Sequence, residues 1–233
     1  MSFLTPRLFA IAKMVDIEDV VADIGTDHAY LPIYLAKDNK AKKIYACDIN
    51  EKPLEVAKHN INSFDVKDKI ELILSDGISW LKHRPAIHIN ECIIAGLGSN
   101  TMLDILKNDS DQIDCYIIAS QTSFDPIREW VKKNKYFIEQ ETIVLDNEIL
   151  YEVIKVNKFA GTKVKNKLDI LFGPILRKEI NQLFLDKWVS EEAKLRNLLI
   201  QVPEQDSKHK QIQKKLKLLG KFINKELKQN ETN

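Results

Sequence analysis

The chain is short of the residues that would mark it as a disulfide scaffold, a metal protein or a membrane protein. Its 233 residues hold three cysteines, Cys47, Cys92 and Cys115, far apart and without metal-ligand spacing. That pattern excludes a disulfide framework, gives no reason to expect a metal, and reads as buried free thiols in a reducing compartment. No stretch reaches the ~18–20 apolar residues that span a bilayer, and Met1-Ser2-Phe3 does not open a signal peptide, so a cytoplasmic protein without membrane contact is expected. Arginine is scarce, five of 35 basic residues. The G-x-G-x-x-G turn of dinucleotide-binding proteins is missing as well.

What remains is ordinary for a folded protein: 44% hydrophobic and 30% charged residues, enough for one substantial α/β core and an appendage. The net charge of +1 conceals an asymmetry. Residues 1–159 carry 19 Lys/Arg against 25 Asp/Glu, net −6, whereas residues 160–233 carry 16 against 9, net +7. An acidic body with a basic end points to a polyanionic partner held in part by the second segment.

The chain is organised around Val20–Tyr34. Val20, Val21, Ala22 and Ile24 read as a buried parallel strand, Asp23-Ile24-Gly25-Thr26-Asp27-His28 as a tight polar turn, and the following residues as a helix that Thr26 or Asp27 would cap. Gly25 lets backbone approach a ligand. Where a dinucleotide site would place its second and third glycines stand Asp27 and Tyr30. A carboxylate facing a pyrophosphate at ~4 Å would cost roughly 1–4 kcal/mol. The turn instead suits a ligand with cationic groups, such as the amine and sulfonium of S-adenosylmethionine.

The later strand ends repeat the theme. Lys43–Asp48 ends in Asp48, 23 residues after Gly25 and close to the offset at which an acid reaches ribose hydroxyls, although an Asp there also serves to cap the next helix. Lys69–Leu74 leads into Ser75-Asp76-Gly77, where Asp76 can accept from an adenine amino group, while Asp-Gly alone is also an ordinary turn. A fourth strand, Asn90–Ala95, ends in Gly96-Leu97-Gly98-Ser99, which permits close approach of a flat ligand. A fifth spans Ile113–Ala119, and two more, Phe137–Leu145 and Ile149–Val156, flank the turn Asp146-Asn147-Glu148. Thr5-Pro6 opens an N-terminal helix with Arg7 at its start, exposed if the apolar face packs on the body. This helix directly precedes the first strand and can flank the cleft; Asn60 can reach the cleft from the helix after Asp48.

Lys158–Lys167 reads as a linker, dividing a domain of residues 1–162 from one of residues 163–233. In the second, Trp188, Glu192, Leu195, Leu199 and Val202, then Ile212, Leu216, Leu219 and Ile223, recur at spacings of three and four. Pro203 separates the two runs, which predicts an antiparallel helical hairpin with a coiled-coil-like seam. Lys208–Lys228 carries eight lysines and one acid, Glu226, either a solvated face or a phosphate-contacting one.

In this order, Asp23-Ile24-Gly25-Thr26-Asp27-His28-Ala29-Tyr30-Leu31-Pro32, Asp48-Ile49-Asn50, Ser75-Asp76-Gly77, Gly96-Leu97-Gly98 and Leu171-Phe172-Gly173-Pro174, the chain resembles the bacterial tRNA (adenine-22-N1)-methyltransferase family, TrmK, over essentially its full length. It departs at Ser99, where the family typically has glycine. The resemblance implies an α/β fold, a Rossmann-like class I methyltransferase sheet followed by the helical hairpin. It also implies S-adenosylmethionine as cofactor and tRNA as substrate; a monomer is expected. Carried over position by position, its cleft residues would be Gly25, Asp27, His28, Asp48, Ser75, Asp76 and Gly96. Asp23, Ile49 and Gly77 at the same strand ends are expected to join them in the cofactor site, and Asp27, Tyr30 and Gly96 are expected beside the reacting base. Adenine N1 carries an in-plane lone pair and is neutral at pH 7, so positioning and not a strong base would supply the rate. An Asn-Pro-Pro-Tyr tetrapeptide, used on exocyclic adenine amines, is absent. Two rival readings stay open on the residues alone: a methyltransferase of another RNA or a small molecule, and a non-catalytic RNA-binding module that binds no cofactor.

Overall fold

The computed structural model describes residues 4–17, 19–120 and 122–230, with side chains through residue 223. The expectation at Met1-Ser2-Phe3 and the side chains of Lys225, Glu226 and Lys228 lie outside the described part. The chain divides into two compact units, Met1–Arg177 and Lys178–Asn233.

The first unit is a seven-stranded sheet of β1 (Asp19–Ile24), β2 (Ala41–Asp48), β3 (Ile70–Leu74), β4 (Ile89–Ala95), β5 (Ile113–Ser120), β6 (Phe137–Asp146) and β7 (Ile149–Asn157). Their order is β3-β2-β1-β4-β5-β7-β6. The first five run parallel, and β7 pairs antiparallel with both β5 and β6. Central parallel strands are apolar on both faces, so successive residues feed two cores. Val21, Ile93 and Ile117 enter one, with Ile11 and Ile33 of helices α1 (Pro6–Met14) and α2 (Tyr30–Lys37). Ala22, Ile94 and Ile118 enter the other, with Met102 and Ile127 of α4 (Ser99–Leu106) and α5 (Asp125–Lys133). Between them in sequence, α3 (Glu51–Ser63) joins β2 to β3. Asn147 and Glu148 both take positive φ, 48° and 63°, the two-residue turn whose twist matches a β6–β7 hairpin. All three cysteines are buried in β2, β4 and β5, and burial pushes each thiol up.

The stretch expected to be a linker is packed into this unit, and the units part after Arg177 and not after residue 162. Thr162 bridges Ile138, and α6 (Lys167–Phe172) is closed by a capping box between Asn166 and Asp169. The physical anchor is Glu141 on β6. Its Oε2 accepts from the backbone N–H groups of Ile175 (2.8 Å) and Leu176 (3.2 Å), while Arg128 of α5 spans Glu141 and Glu152 in full burial. Gly173 sits against that triad with φ +85°, and a Cβ there would lie 2.6 Å from the Glu141 carboxylate. A second buried cation, Lys155 on β7, reaches Glu91 (2.5 Å), Asp16 (2.7 Å) and the Met14 carbonyl (3.0 Å). Asp16, Asp19 and Glu91 form the one convergent acidic group among the described residues, and Lys155 already supplies its cation.

The second unit is the hairpin of α7 (Gln182–Gln201) and α8 (Ser207–Asn230). Phe184 meets Phe222, Glu191 pairs with Lys215 at 3.6 Å, and the Val202 carbonyl meets His209. Those pairings converge toward the turn, which makes the helices antiparallel. Trp188, Leu195, Ile212, Leu219 and Ile223 of the expected seam are buried, and Phe184 extends it by one turn. No helix of the described residues is long and apolar enough to cross a membrane.

Candidate active site

The sheet reverses direction of winding between β1 and β4, and a crevice opens at the carboxyl ends of the strands around that point. It holds a cleft of about 750 Å³. The eleven residues expected in the cofactor site and beside the base all line it, whereas Asn60, also expected to reach the cleft, is not among the lining residues.

The floor follows the strand order. At the end of β3, Asp76 is exposed, and its carbonyl accepts from Ser79 Oγ (2.9 Å), while Ser75 Oγ lies 3.3 Å from the same hydroxyl. Gly77, at φ +61°, packs on α4, where a Cβ would stand 3.1 Å from Ile105. At the end of β2, Asp48 is buried and turned by the Asn50 N–H, which donates to its Oδ1 at 2.9 Å. The Ile49 side chain beside it is 60% exposed, a bare apolar face inside a polar cleft. At the end of β1, Asp23 is buried, and desolvation, with Asp48 nearby, pushes its carboxyl up to about 6.

Above β1 the turn folds back on β2. The N–H groups of Gly25 and Thr26 both donate to the Cys47 carbonyl at 2.9 Å. Gly25 (φ +77°), Asp27 (+52°) and Ala29 (+57°) all take left-handed backbone, which costs a non-glycine residue about 1–2 kcal/mol. For that reason neither Thr26 nor Asp27 caps the next helix. Ala29 occupies the cap position without a side-chain bond, and Asp27 and His28 are exposed to the cleft. Asn60 on α3 holds the strained loop, donating from Nδ2 to the His28 carbonyl at 3.0 Å. His28 and Tyr30 stand as a tilted ring pair 5.7 Å apart.

At the end of β4, Gly96 has φ +77° and its missing Cβ would lie 3.5 Å from Arg7 Nη1. Ser99 is the first residue of α4, outside the positive-φ set, and its N–H donates to Thr122 Oγ1 at 3.2 Å. The departure at this position therefore carries no backbone strain. One lining element escaped the sequence reading. Thr101, Asp104, Ile105 and Asn108, from α4 and the turn after it, recur at spacings of three, one and three and so share one face toward the cleft.

Carboxylates at three adjacent strand ends, a fourth on the turn and an apolar shelf between them suit a nucleoside carrying cationic groups, and oppose a pyrophosphate. With the strand order, the antiparallel β7 and the cleft at the switch point, they define a Rossmann-like methyltransferase. The profile of the tRNA (adenine(22)-N(1))-methyltransferase family, TrmK, matches residues 21–227. The tRNA (adenine(22)-N(1))-methyltransferase of Bacillus subtilis is 31% identical over 226 residues, 93% of this chain and 92% of that protein. The structure of M. capricolum TrmK with S-adenosyl-homocysteine superimposes with a TM-score of 0.86 at 38% identity, over 95% of this chain and 98% of that one. A Streptococcus pneumoniae relative, solved with S-adenosyl-L-methionine, superimposes at 0.83 with 26% identity, over 95% and 100% of the two chains. The chain belongs to the TrmK family.

Proposed function

We propose that this chain methylates N1 of adenine 22 in tRNA with S-adenosylmethionine, and that the residues of the cleft divide the work as follows. The observation that carries the reading is the row of carboxylates, Asp76, Asp48 and Asp23, along the ends of three neighbouring strands in one cleft. Bound there, the cofactor supplies an electrophilic methyl group on a sulfonium. Asp48 accepts from the ribose hydroxyls, Asp76 accepts from the adenine amino group, and Ile49 and Gly77 bracket the ring. Asp23 and the backbone of Gly25 face the cationic end, with His28 at its edge.

Adenine N1 attacks as a neutral lone pair, so no residue has to remove a proton beforehand. Asp27, or a backbone carbonyl near Gly96, accepts from the amino group of the target base, and Tyr30 orients or stacks on it. N1 lies on the pairing edge, so the base must be unpaired or extruded at a cost of a few kcal/mol. Residues 178–233 are the tRNA-holding domain. Lys208, Lys210, Lys214, Lys217 and Lys221 on α8 are exposed, which supports a phosphate-contacting face. A tRNA substrate with three reduced thiols supports a cytoplasmic site of action.

The test gives the protein labelled S-adenosylmethionine and unmodified bulk tRNA, then maps reverse-transcription stops, because N1 methylation blocks pairing. A stop at adenine 22 is expected. Label incorporated without that stop would move the reaction to another atom, and no incorporation would leave a binding module.

A further inference from the structure

Among the described residues that line the cleft, Arg7 is the only lysine or arginine, and the other lining charges are the carboxylates of Asp23, Asp27, Asp48, Asp76 and Asp104. It projects from the first turn of α1, capped by Thr5, to the end of β4. Its guanidinium carbon lies 4.9 Å over the Tyr151 ring, so one flat face is covered. Its Nε lies 4.0 Å from the buried Asp146 carboxylate, too long for a hydrogen bond, and is itself buried with no hydrogen-bond partner. Nη1 lies 3.5 Å from where a Cβ on Gly96 would stand, at the cleft floor. A guanidinium fixed by its face and held by a distant acid keeps its N–H edge for a planar anion.

We propose that Arg7 binds the α-carboxylate of the cofactor's amino-acid end, an inference that rests on the cleft holding S-adenosylmethionine. Charge and position both select this partner. The cofactor carries two cationic groups and one anionic group, and the cleft offers many acids and one guanidinium. Position follows the sheet order β3-β2-β1-β4. With the adenine at Asp76 and the ribose at Asp48, the sulfonium falls over Asp23 and Gly25, and the amino-acid end is left facing β4, where Arg7 meets Gly96. Arg7 is thus a cofactor-orienting residue. Asp146, at the mouth of the β6–β7 hairpin, and Tyr151 fix its rotamer.

The test is a chemical double-mutant cycle, read by calorimetry without any turnover. The wild type and Arg7→Gln each bind S-adenosylmethionine and its decarboxylated analogue, which keeps the amine and the sulfonium. The wild type is expected to prefer the parent by about tenfold to a hundredfold, the range of a charge-assisted hydrogen bond, and Arg7→Gln to bind both alike. Arg7→Lys keeps charge without the fork and should fall between. Retained binding of the analogue by Arg7→Gln shows that the variant is folded. If Arg7→Gln weakens both ligands equally, Arg7 only supports the fold and the assignment fails. It fails too if both affinities hold while tRNA affinity drops, which would give Arg7 to a tRNA phosphate. A wild type that binds neither ligand would overturn the cofactor reading itself, and Arg7's assignment with it.

Discussion

Replacing Asp23 with Asn should stabilise the protein while weakening its cofactor site. Asp23 is buried at the end of β1, and desolvation raises its carboxyl from an ordinary 3.8 to about 6. A folded-state value above the unfolded one means that, between those two values, the native state holds the proton more tightly. Stability from this group is therefore complete below pH ~4 and is lost as pH rises through about 6. At 1.36 kcal/mol per pH unit, the separation amounts to about 3 kcal/mol by pH 8. Asn removes that ionisation penalty but leaves a buried amide, so a gain of about 1–3 kcal/mol at pH 8 is expected, shrinking to nothing near pH 4. Urea denaturation of both proteins across that range measures it, and the difference between them cancels every titration they share. The same substitution should cost cofactor affinity at pH 8 and flatten its dependence on pH. An Asn variant less stable at pH 8, or a difference constant from pH 4 to 8, would refute the reasoning.

Two further perturbations test the substrate side. Asp27→Asn removes the acceptor offered to the target adenine, and kcat should fall about tenfold to a hundredfold; full turnover in steady-state kinetics would take Asp27 out of that role. Lys214→Gln with Lys217→Gln on α8 should weaken tRNA binding and lower the slope of log Kd against log salt by about 0.7–0.9 for each phosphate left without its lysine. Cofactor affinity should hold, and an unchanged salt slope would leave α8 a solvated face.

Most of the cleft could be read from the sequence because its parts are strand ends. A parallel strand buried on both faces is a nearly unbroken apolar run, so the acid or glycine that stops it is conspicuous, as at Asp48, Ser75-Asp76-Gly77 and Gly96. Helix capping at the first turn was not legible, since the left-handed backbone of Asp27 and Ala29 is sustained by Asn60, more than thirty residues away. The domain boundary was misplaced for a similar reason. Lys158–Lys167 carries four lysines and reads as a linker into the helical part, but the Glu141 carboxylate on β6 binds the backbone of Ile175 and Leu176 further on. Nothing local to Lys158–Lys167 announces that. Arg7 belongs to the same class: its partners are Gly96, Asp146 and Tyr151, and only the closed sheet brings them to the first turn of α1.

The acids that make the cleft right for a sulfonium make it wrong for tRNA. Asp23, Asp27, Asp48, Asp76 and Asp104 repel any phosphate that follows the target base inward, and at ~4 Å each such approach costs roughly 1–4 kcal/mol. A cationic cofactor offsets part of that field, so a filled cleft is less hostile to the polyanion than an empty one. The cofactor adds a net +1 whether or not its carboxylate is paired, but an unpaired carboxylate would stand as a local negative charge at the place where the target base must enter. In this arrangement Arg7 contributes to both equilibria through one contact, holding the cofactor and keeping its negative end from facing the tRNA.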